Sequence, residues 1–118
     1  MIEFFVAGDP VPKQSFRYSA HGGYTDPRVT AWQEQISYIA RQNIVEPIDG
    51  PVSLTLEFYL RDNRRVDADN LSKAVCDALN GIAYKDDRQI IDLHIMKVIC
   101  KTNPGVHIFV FKEMESEK

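Results

Sequence analysis

Residues 52–87, VSLTLEFYLRDNRRVDADNLSKAVCDALNGIAYKDD, contain a strand pattern followed directly by a helix pattern. Apolar residues alternate with polar residues from Val52 to Leu60, which is typical of a strand with one buried face. A helix is predicted to begin near Asp69, because an apolar stripe follows at the spacing i, i+3, i+4, i+7, i+8. The stripe consists of Leu71, Ala74, Val75, Ala78 and Leu79. Gly81 lies where a helix commonly ends with a left-handed glycine. This stretch therefore predicts a strand and a helix that share one core.

The N-terminal part of the chain adds a strand and a second helix. Ile2–Ala7 is an apolar run that ends at a Gly-Asp-Pro turn, so it is predicted as a strand. Asp26 is a good N-cap and Pro27 suits the first helical position, and apolar residues then recur at helical spacing to about Asn43. Residues 10–25 show neither period, and we predict an exposed loop there.

The C-terminal part predicts two further strands. Residues 89–100 and 106–112 are rich in apolar and β-branched residues, and residues 101–105, KTNPG, suit a hairpin connection between them. The predicted order is β, α, β, α, β, β. The economical architecture is an α+β two-layer sandwich, in which two helices pack on one mixed four-stranded sheet. We expect a single domain over residues 1–112 and a disordered tail over residues 113–118.

Composition limits the classes of function. With 118 residues, of which 44% are hydrophobic, the chain has room for one modest core. No run approaches the roughly 18 apolar residues of a membrane span, so we expect a cytoplasmic protein without membrane contact. Cys76 and Cys100 lack the spacing of a zinc site or a disulfide framework, and both are predicted to be buried, reduced thiols. We also expect no organic cofactor.

The charge pattern is uneven. A net charge of −3 by itself argues against nucleic-acid binding, because counterion release rewards basic surfaces. However, three glutamates lie in the C-terminal tail, whereas basic residues gather near the N-terminus and directly before an acidic pair. These basic residues are Lys13, Arg17, Arg28, Arg61, Arg64 and Arg65. A local positive rim is compatible with a mildly acidic total.

The acidic pair at the start of the second helix has two interpretations. Asp67 and Asp69 are one residue apart, so in an extended segment their carboxylates point to the same side and can hold one cation. A hard cation such as Mg²⁺ prefers oxygen ligands of this kind. In the alternative interpretation, Asp69 caps the helix and Asp67 interacts with the positive end of the helix dipole. The pair alone does not decide between metal binding and capping.

Three more residues favour metal binding when they are taken together. Lys73 follows Asp69 by one helical turn and lies on the polar side of the helix, so its ammonium group is near the carboxylates. Asp86 and Asp87 come directly after the helix, where the chain turns back into a strand. Each feature also has an ordinary explanation, as a solvated lysine or as turn-forming aspartates. Their combination predicts a site for a metal and a phosphate.

The same residues resemble the RusA family of Holliday junction resolvases, which are small dimeric endodeoxyribonucleases often carried by prophages. The resemblance rests on DADNLSKA at residues 67–74, DALNG at residues 77–81, the aromatic Tyr84 and the Asp86-Asp87 pair before an apolar strand. GDPVPK at residues 8–13 and YTDP at residues 24–27 are similar to the Gram-positive and phage members. The resemblance covers most of the chain.

This resemblance implies a function and a set of site residues. It implies a Mg²⁺-dependent endonuclease, with Mn²⁺ as a substitute, that acts as a homodimer on branched DNA in recombination and repair. The implied metal ligands are Asp67, Asp69 and Asp87, with Asp86 as the alternative to Asp87, and the implied essential lysine is Lys73. The six basic residues named above are expected to contact DNA.

Two other classes of function remain open at this point. The same carboxylates are compatible with a nuclease for other branched nucleic acids, such as flaps and forks. They are also compatible with a DNA-binding accessory module without catalysis, in which the aspartates only cap helices and form turns. Cleavage assays and the response to divalent metals distinguish these classes.

Overall fold

The computed structural model describes residues 1–13, 17–19, 22–24, 26–62 and 66–114, with the backbone alone for residues 17–19 and 22–24. The elements of this part of the chain are β1 (Ile2–Ala7), β2 (Arg17–Ser19), β3 (Gly22–Tyr24), α1 (Pro27–Asn43), β4 (Val52–Leu60), α2 (Ala68–Leu79), a short 3-10 helix (Asp87–Gln89), β5 (Ile90–Ile99) and β6 (Gly105–Lys112). The prediction of a loop over residues 10–25 was wrong in part, because β2 and β3 pair antiparallel there. Strands of three residues are too short to show an alternating pattern.

One mixed four-stranded sheet forms the centre of the fold, as predicted. Its strand order is β1-β6-β4-β5. β4 pairs parallel with β5, whereas β6 runs antiparallel to both of its neighbours, β1 and β4. Parallel neighbours need a crossover connection, and α2 supplies it between β4 and β5. The segment from β4 through α2 to β5 is thus a βαβ unit.

The predicted hairpin between the last two strands was wrong. β4 lies between β5 and β6, so these two strands are not paired with each other. Residues 101–105 instead lead the chain past the end of β4 to its other side. The loop is held by a hydrogen bond from the Gly8 N–H to the Pro104 carbonyl, with an N···O distance of 3.0 Å. Turn-forming residues suit either connection, which is why composition did not distinguish them.

A single core lies between the helices and one face of the sheet, which confirms the two-layer architecture. In β4 the predicted apolar residues are all 0–2% exposed: Val52, Leu54, Leu56, Phe58 and Leu60. In α1, the Asp26 side chain accepts from the Arg28 N–H as predicted for an N-cap. The buried residues of α1 are Val29, Trp32, Ile36 and Ala40. Alternation in the strand and helical spacing in α1 therefore predict the buried faces correctly.

The second helix differs from the prediction only at its start. Its N-cap is Asp67, whose carboxylate accepts from the Asp69 N–H at 3.0 Å, so Asp69 lies inside the first turn rather than at the cap. The shift arises because an Asp-x-Asp sequence offers two suitable caps. At the other end, Gly81 has a φ of +80°, which confirms the predicted glycine after the helix.

Three smaller observations complete the fold. Cys76 is buried, and burial raises the pKa of its thiol to about 11. Cys100 is only half-buried, in contrast to the prediction for both cysteines. Glu113 lies in the expected tail, yet its N–H donates to the Pro51 carbonyl and its carboxylate accepts from the Ser53 hydroxyl. Within the described residues, no helix is long and apolar enough to cross a membrane.

Candidate functional site

A cleft of about 380 Å³ lies between α2 and the start of β5. One wall is formed by the α2 residues Asp69, Ser72, Lys73, Cys76 and Asp77. The other wall is formed by Asp87, Ile90, Ile91, Asp92 and Leu93. The α2 residues recur at i, i+3, i+4, i+7 and i+8, so they form one face of the helix beside its core-facing stripe. The crossover from α2 to β5 therefore brings polar residues from two sequence segments together.

Lys73 and Asp69 form an ion pair at the outer part of this cleft. The Lys73 Nζ lies 3.7 Å from Asp69 Oδ2, and the two residues are four positions apart on α2. Both side chains are more than half exposed. An exposed pair of this kind contributes little to stability, at most about 0.5 kcal/mol. Neither side chain is therefore needed for the fold, and both are accessible to a ligand.

Asp87 lies on the opposite wall, and its carboxyl group has a raised pKa. The largest cause is burial, followed by a hydrogen bond and charge repulsion from Asp86 and by the negative charge of Asp77. A hydrogen bond from the Asn80 side chain acts in the opposite direction. Carboxylates that repel each other in this way are stabilised when a cation lies among them. Asp87 is thus a suitable ligand for a hard metal ion.

Asp86 has a different role from its neighbour. Its carboxylate accepts from the Arg88 N–H at 2.9 Å and forms a capping box with Gln89 at the start of the 3-10 helix. This backbone hydrogen bond, together with the charge of Arg88, lowers the pKa of Asp86. Asp86 does not line the cleft. The local geometry therefore favours Asp87 over Asp86 as the residue that faces a ligand.

Asp67 stands apart from the other predicted ligands. Its Oδ1 caps α2 through the Asp69 N–H, and it is not among the residues that line the cleft. Within the described part of the chain, no group of three or more Asp, Glu, His or Cys residues is gathered closely enough to hold a metal ion. The structure thus brings together Asp69, Lys73 and Asp87 of the predicted site, and it does not bring Asp67 or Asp86 into the same cleft.

Two acidic residues of the cleft were not predicted as site residues. Asp77 lies on the face of α2 that carries Asp69 and Lys73, so helical spacing was a sufficient signal for it. Asp92 comes from β5, and only the tertiary arrangement brings it to the cleft. Asp77 also forms an ion pair with Lys13, which is not among the residues that line this cleft. This contact joins the segment after β1 to the acidic face of α2.

The basic residues predicted to contact DNA have mixed positions. The backbone N–H of Lys13 donates to the Asn70 carbonyl at 3.0 Å, in addition to the pair with Asp77. Arg28 pairs with Asp26 at 2.8 Å, and a hydrogen bond with this carboxylate raises the pKa of the guanidinium. Arg61 lies 3.4 Å from a carboxylate oxygen of Asp9. For Arg17 only the backbone is described, and Arg64 and Arg65 lie outside the described residues. Their roles in DNA binding stay predictions.

The donor set of the cleft fits Mg²⁺. This ion is usually held by one or two carboxylates, with water and substrate phosphates in its remaining positions. Asp69 and Asp87 supply two carboxylates from facing walls, and the pKa of Asp87 is raised first by burial and then by the neighbouring charges of Asp86 and Asp77, which a cation would offset. The absence of a gathered group of three ligands in the described residues is therefore compatible with a Mg²⁺ site completed by a phosphate.

The sequence that forms this α+β fold and cleft is similar to the sequences of a known class of nucleases. Residues 7–111 match the family described as Endodeoxyribonuclease RusA, and the chain belongs to this family. The crossover junction endodeoxyribonuclease RusA of Aquifex aeolicus (strain VF5) is 31% identical, over 91% of this chain and 88% of that protein. The corresponding protein of Escherichia coli (strain K12) is 29% identical, over 75% of this chain and 78% of its own length.

A third relative comes from a Gram-positive bacterium. The uncharacterized protein YqaN of Bacillus subtilis (strain 168) is 30% identical, over 92% of this chain and 94% of its own length. The family that the motif around residues 67–87 indicates is thus confirmed over nearly the whole chain.

Proposed function

We propose that the chain is a Mg²⁺-dependent endodeoxyribonuclease that resolves Holliday (four-way) junctions by two symmetric cuts, in DNA recombination and repair. The observation that carries this proposal is the convergence of Asp69, Lys73 and Asp87 on one cleft in a chain of the RusA family. The substrate is supported by relatives that are named crossover junction endodeoxyribonucleases and that align over most of their length. Because the proposed substrate is recombining DNA, we assign the activity to the cytoplasm.

We assign Asp69 and Asp87 as the main metal ligands and Asp67 as the third. Asp69 and Asp87 line the cleft from opposite walls. The cap of α2 uses Oδ1 of Asp67, so Oδ2 is the oxygen that we assign to the metal, and Asp67 would have to reach it from outside the cleft lining. When bound, Mg²⁺ makes a water more acidic and neutralises charge on the phosphate oxygens. Mn²⁺ prefers similar oxygen ligands, so we expect it to substitute.

Lys73 is proposed to stabilise the charge that develops on the phosphate. Its ammonium group is a compact positive charge beside Asp69, on the wall of the cleft that a DNA backbone can reach. As water attacks phosphorus, the non-bridging oxygens gain negative charge, which a nearby ammonium group stabilises. The water oxygen forms the new bond to phosphorus, and the 3′ oxygen leaves and takes up a proton. The products are a 5′ phosphate and a 3′ hydroxyl.

Paired cuts require two equivalent sites. A Holliday junction is approximately twofold symmetric, and a homodimer with a twofold axis presents two identical clefts to it. We therefore propose that the active form is a homodimer. This assembly also explains how two strands of the same polarity are cut at symmetric positions.

The decisive experiment is a cleavage panel. Purified protein is incubated with synthetic four-way, three-way, flap and linear duplex DNA, in Mg²⁺, in Mn²⁺ and in chelator. We expect symmetric cuts in the four-way junction that depend on a divalent metal. Faster cleavage of flaps or forks indicates the nuclease for other branched substrates, and no metal-dependent cleavage of any substrate indicates the accessory module.

The metal assignment is tested by Asp69→Asn. This variant should lose junction cleavage but bind the junction as well as the wild type or more tightly, because a negative charge beside DNA is removed. A matched control is Asp49→Asn, since Asp49 is an exposed aspartate that pairs with Lys85 outside the cleft. Cleavage by the Asp69→Asn protein at the wild-type rate in Mg²⁺ contradicts the assignment.

A further inference from the structure

The ion pair between Lys13 and Asp77 lies where the cleft meets a second groove. This groove has a volume of about 590 Å³ and runs between α1 and α2. Asp77 lines both the cleft and the groove, whereas Lys13 lines the groove alone. The carboxylate of Asp77 is therefore the point at which a charge in the groove can act on a ligand in the cleft.

Two contacts fix Lys13 on α2. Its backbone N–H donates to the Asn70 carbonyl at 3.0 Å, and its ammonium group binds the Asp77 carboxylate about two turns further along the helix. The side chains of this pair are 40% and 36% exposed, compared with 71% and 82% in the pair between Lys85 and Asp49. Because water screens partly buried charges less, Lys13 and Asp77 are the more strongly coupled pair.

The backbone of α2 is held on both sides of Asp77. The Gln33 side chain donates to the Ala74 carbonyl at 3.0 Å, and the Ser37 hydroxyl donates to the Ala78 carbonyl at 2.9 Å. Both contacts join α2 to α1. Since the backbone is fixed, the direction of the Asp77 carboxylate depends on its own side-chain torsions, and the contact with Lys13 restricts these torsions.

The charge of Asp77 also acts on the opposite wall of the cleft. The pKa of Asp87 is raised first by burial and by Asp86, and the negative charge of Asp77 adds to this effect. A further negative charge in the cleft attracts a cation and repels a DNA phosphate. A lysine that offsets this charge has the opposite effect on each of the two ligands.

We propose that Lys13 and Asp77 are positioning residues that set the balance between Mg²⁺ binding and DNA binding in the cleft. Asp77 strengthens Mg²⁺ binding through its negative charge, and Lys13 limits this charge so that a phosphate can enter. The inference rests on the proposed function, because it takes Mg²⁺ and a DNA phosphate as the ligands of the cleft. It replaces the expected DNA contact of Lys13 with an indirect effect through Asp77.

The affinity for Mg²⁺ tests the proposal in the wild type, Lys13→Gln, Asp77→Asn and the double variant. Isothermal titration calorimetry without DNA measures the Kd at low ionic strength, where screening is weak. Lys13→Gln should lower the Kd about threefold to tenfold, because the charge of Asp77 is no longer offset, and Asp77→Asn should raise it by a similar factor. The double variant keeps the net charge of the wild type and should lie within about twofold of it.

The affinity for a synthetic four-way junction without metal should change in the opposite direction. Lys13→Gln should weaken junction binding about threefold to tenfold, and Asp77→Asn should strengthen it. Salt dependence separates this indirect effect from a direct phosphate contact. A direct contact predicts that Lys13→Gln reduces the slope of log K against log salt by about 0.9, whereas the proposal predicts the wild-type slope.

The pair between Lys85 and Asp49 supplies matched controls. Lys85→Gln and Asp49→Asn make the same changes of charge outside the cleft, and both should keep the Kd for Mg²⁺ within about twofold of the wild type. Lys13→Arg keeps the charge and should keep the wild-type Kd. Circular dichroism and thermal melts verify that all variants are folded. Equal Mg²⁺ affinity in the wild type and both single variants, or a reduced salt slope for Lys13→Gln, overturns the proposal.

These measurements separate this inference from the proposed function. The calorimetry contains no DNA and the junction binding involves no cleavage, so both remain decisive if the wild type cuts no substrate. In that case the proposed function fails, and opposite changes in Mg²⁺ affinity still support the roles of Lys13 and Asp77. If the wild type cuts junctions but the variants bind Mg²⁺ equally, the proposed function stands and this inference fails.

Discussion

Two short segments of the chain, the start of α2 and the start of the 3-10 helix before β5, each combine an aspartate that caps a helix with a second aspartate that faces the cleft. The two aspartates are one residue apart in the first segment and adjacent in the second. At α2, Asp67 accepts from the N–H two residues later and Asp69 faces the cleft. At the 3-10 helix, Asp86 accepts from the N–H two residues later and Asp87 faces the cleft. In each pair one carboxylate caps a helix, and the other faces the possible ligand from its own wall.

This comparison shows why the capping and metal-binding interpretations do not exclude each other. A capping aspartate accepts a hydrogen bond from the backbone N–H two residues later, which the helix would otherwise leave without a partner. The cap also fixes the backbone of the first turn, and with it the direction of the second aspartate. The capping residue thereby positions its neighbour. The pKa values of Asp86 and Asp87 reflect this division, since the first is lowered and the second is raised.

The largest effect is expected for Asp87→Asn. Loss of a metal ligand removes several kcal/mol of transition-state stabilisation, so junction cleavage in Mg²⁺ should fall roughly 10³-fold or more. Asp86→Asn should stay within about threefold of the wild type, because asparagine is also a good N-cap. Initial rates on a synthetic four-way junction measure both. If Asp86→Asn loses as much activity as Asp87→Asn, the assignment of Asp86 to the cap and Asp87 to the metal is wrong.

Lys73→Ala is expected to have the second-largest effect. Removing one preorganised group that stabilises transition-state charge costs roughly 10² to 10³ in rate. The melting temperature should change little, because Lys73 is exposed and its pair with Asp69 is weak. Lys85→Ala is the matched control, since Lys85 is an exposed lysine that pairs with Asp49 at 3.1 Å outside the cleft. An unfolded Lys73→Ala protein would contradict its position on the polar face of α2.

Divalent metal should stabilise the folded chain by a moderate amount. At a free Mg²⁺ concentration of ten times its Kd, binding adds about 1.4 kcal/mol, which raises Tm by roughly 4–8 °C. The increase should disappear on addition of chelator and in Asp69→Asn and Asp87→Asn, while Asp86→Asn keeps it. Thermal melts by circular dichroism measure the shift. An equal shift in all three variants would indicate that the cation binds elsewhere.

The sequence was sufficient to predict the elements that bury one face. The alternation in β4 and the stripe of α2 depend only on which side of an element is in contact with the core, and periodicity records this directly. Periodicity does not indicate which strands are neighbours in the sheet. β4 is the strand next to both β5 and β6, and nothing in residues 101–105 indicates that the chain passes β4 instead of turning back. Strand order depends on packing of the whole sheet.

The candidate site also has one part that local spacing predicts and another that depends on the tertiary fold. Asp69, Lys73 and Asp77 share one face of α2, and helical spacing alone predicts that they are neighbours. Their approach to Asp87 and Asp92 requires the crossover from α2 to β5. The ion pair between Lys13 and Asp77 joins residues 64 positions apart, so no local sequence pattern predicts it. The DNA contact predicted for Lys13 did not anticipate this acidic partner.

The smallest expected effect concerns the stability contribution of Asp67. Asp67→Ala removes the cap of α2 and should cost about 1 kcal/mol, whereas Asp67→Asn keeps an oxygen that accepts from the Asp69 N–H and should cost only a few tenths. Both variants lose the negative charge, so both should lose cleavage if Asp67 also binds the metal. Chemical denaturation and junction cleavage measured on the same preparations separate the two roles. Equal destabilisation by asparagine and alanine would exclude the side-chain cap, and full cleavage by Asp67→Asn would leave Asp69 and Asp87 as the only carboxylates of the proposed set that hold the metal.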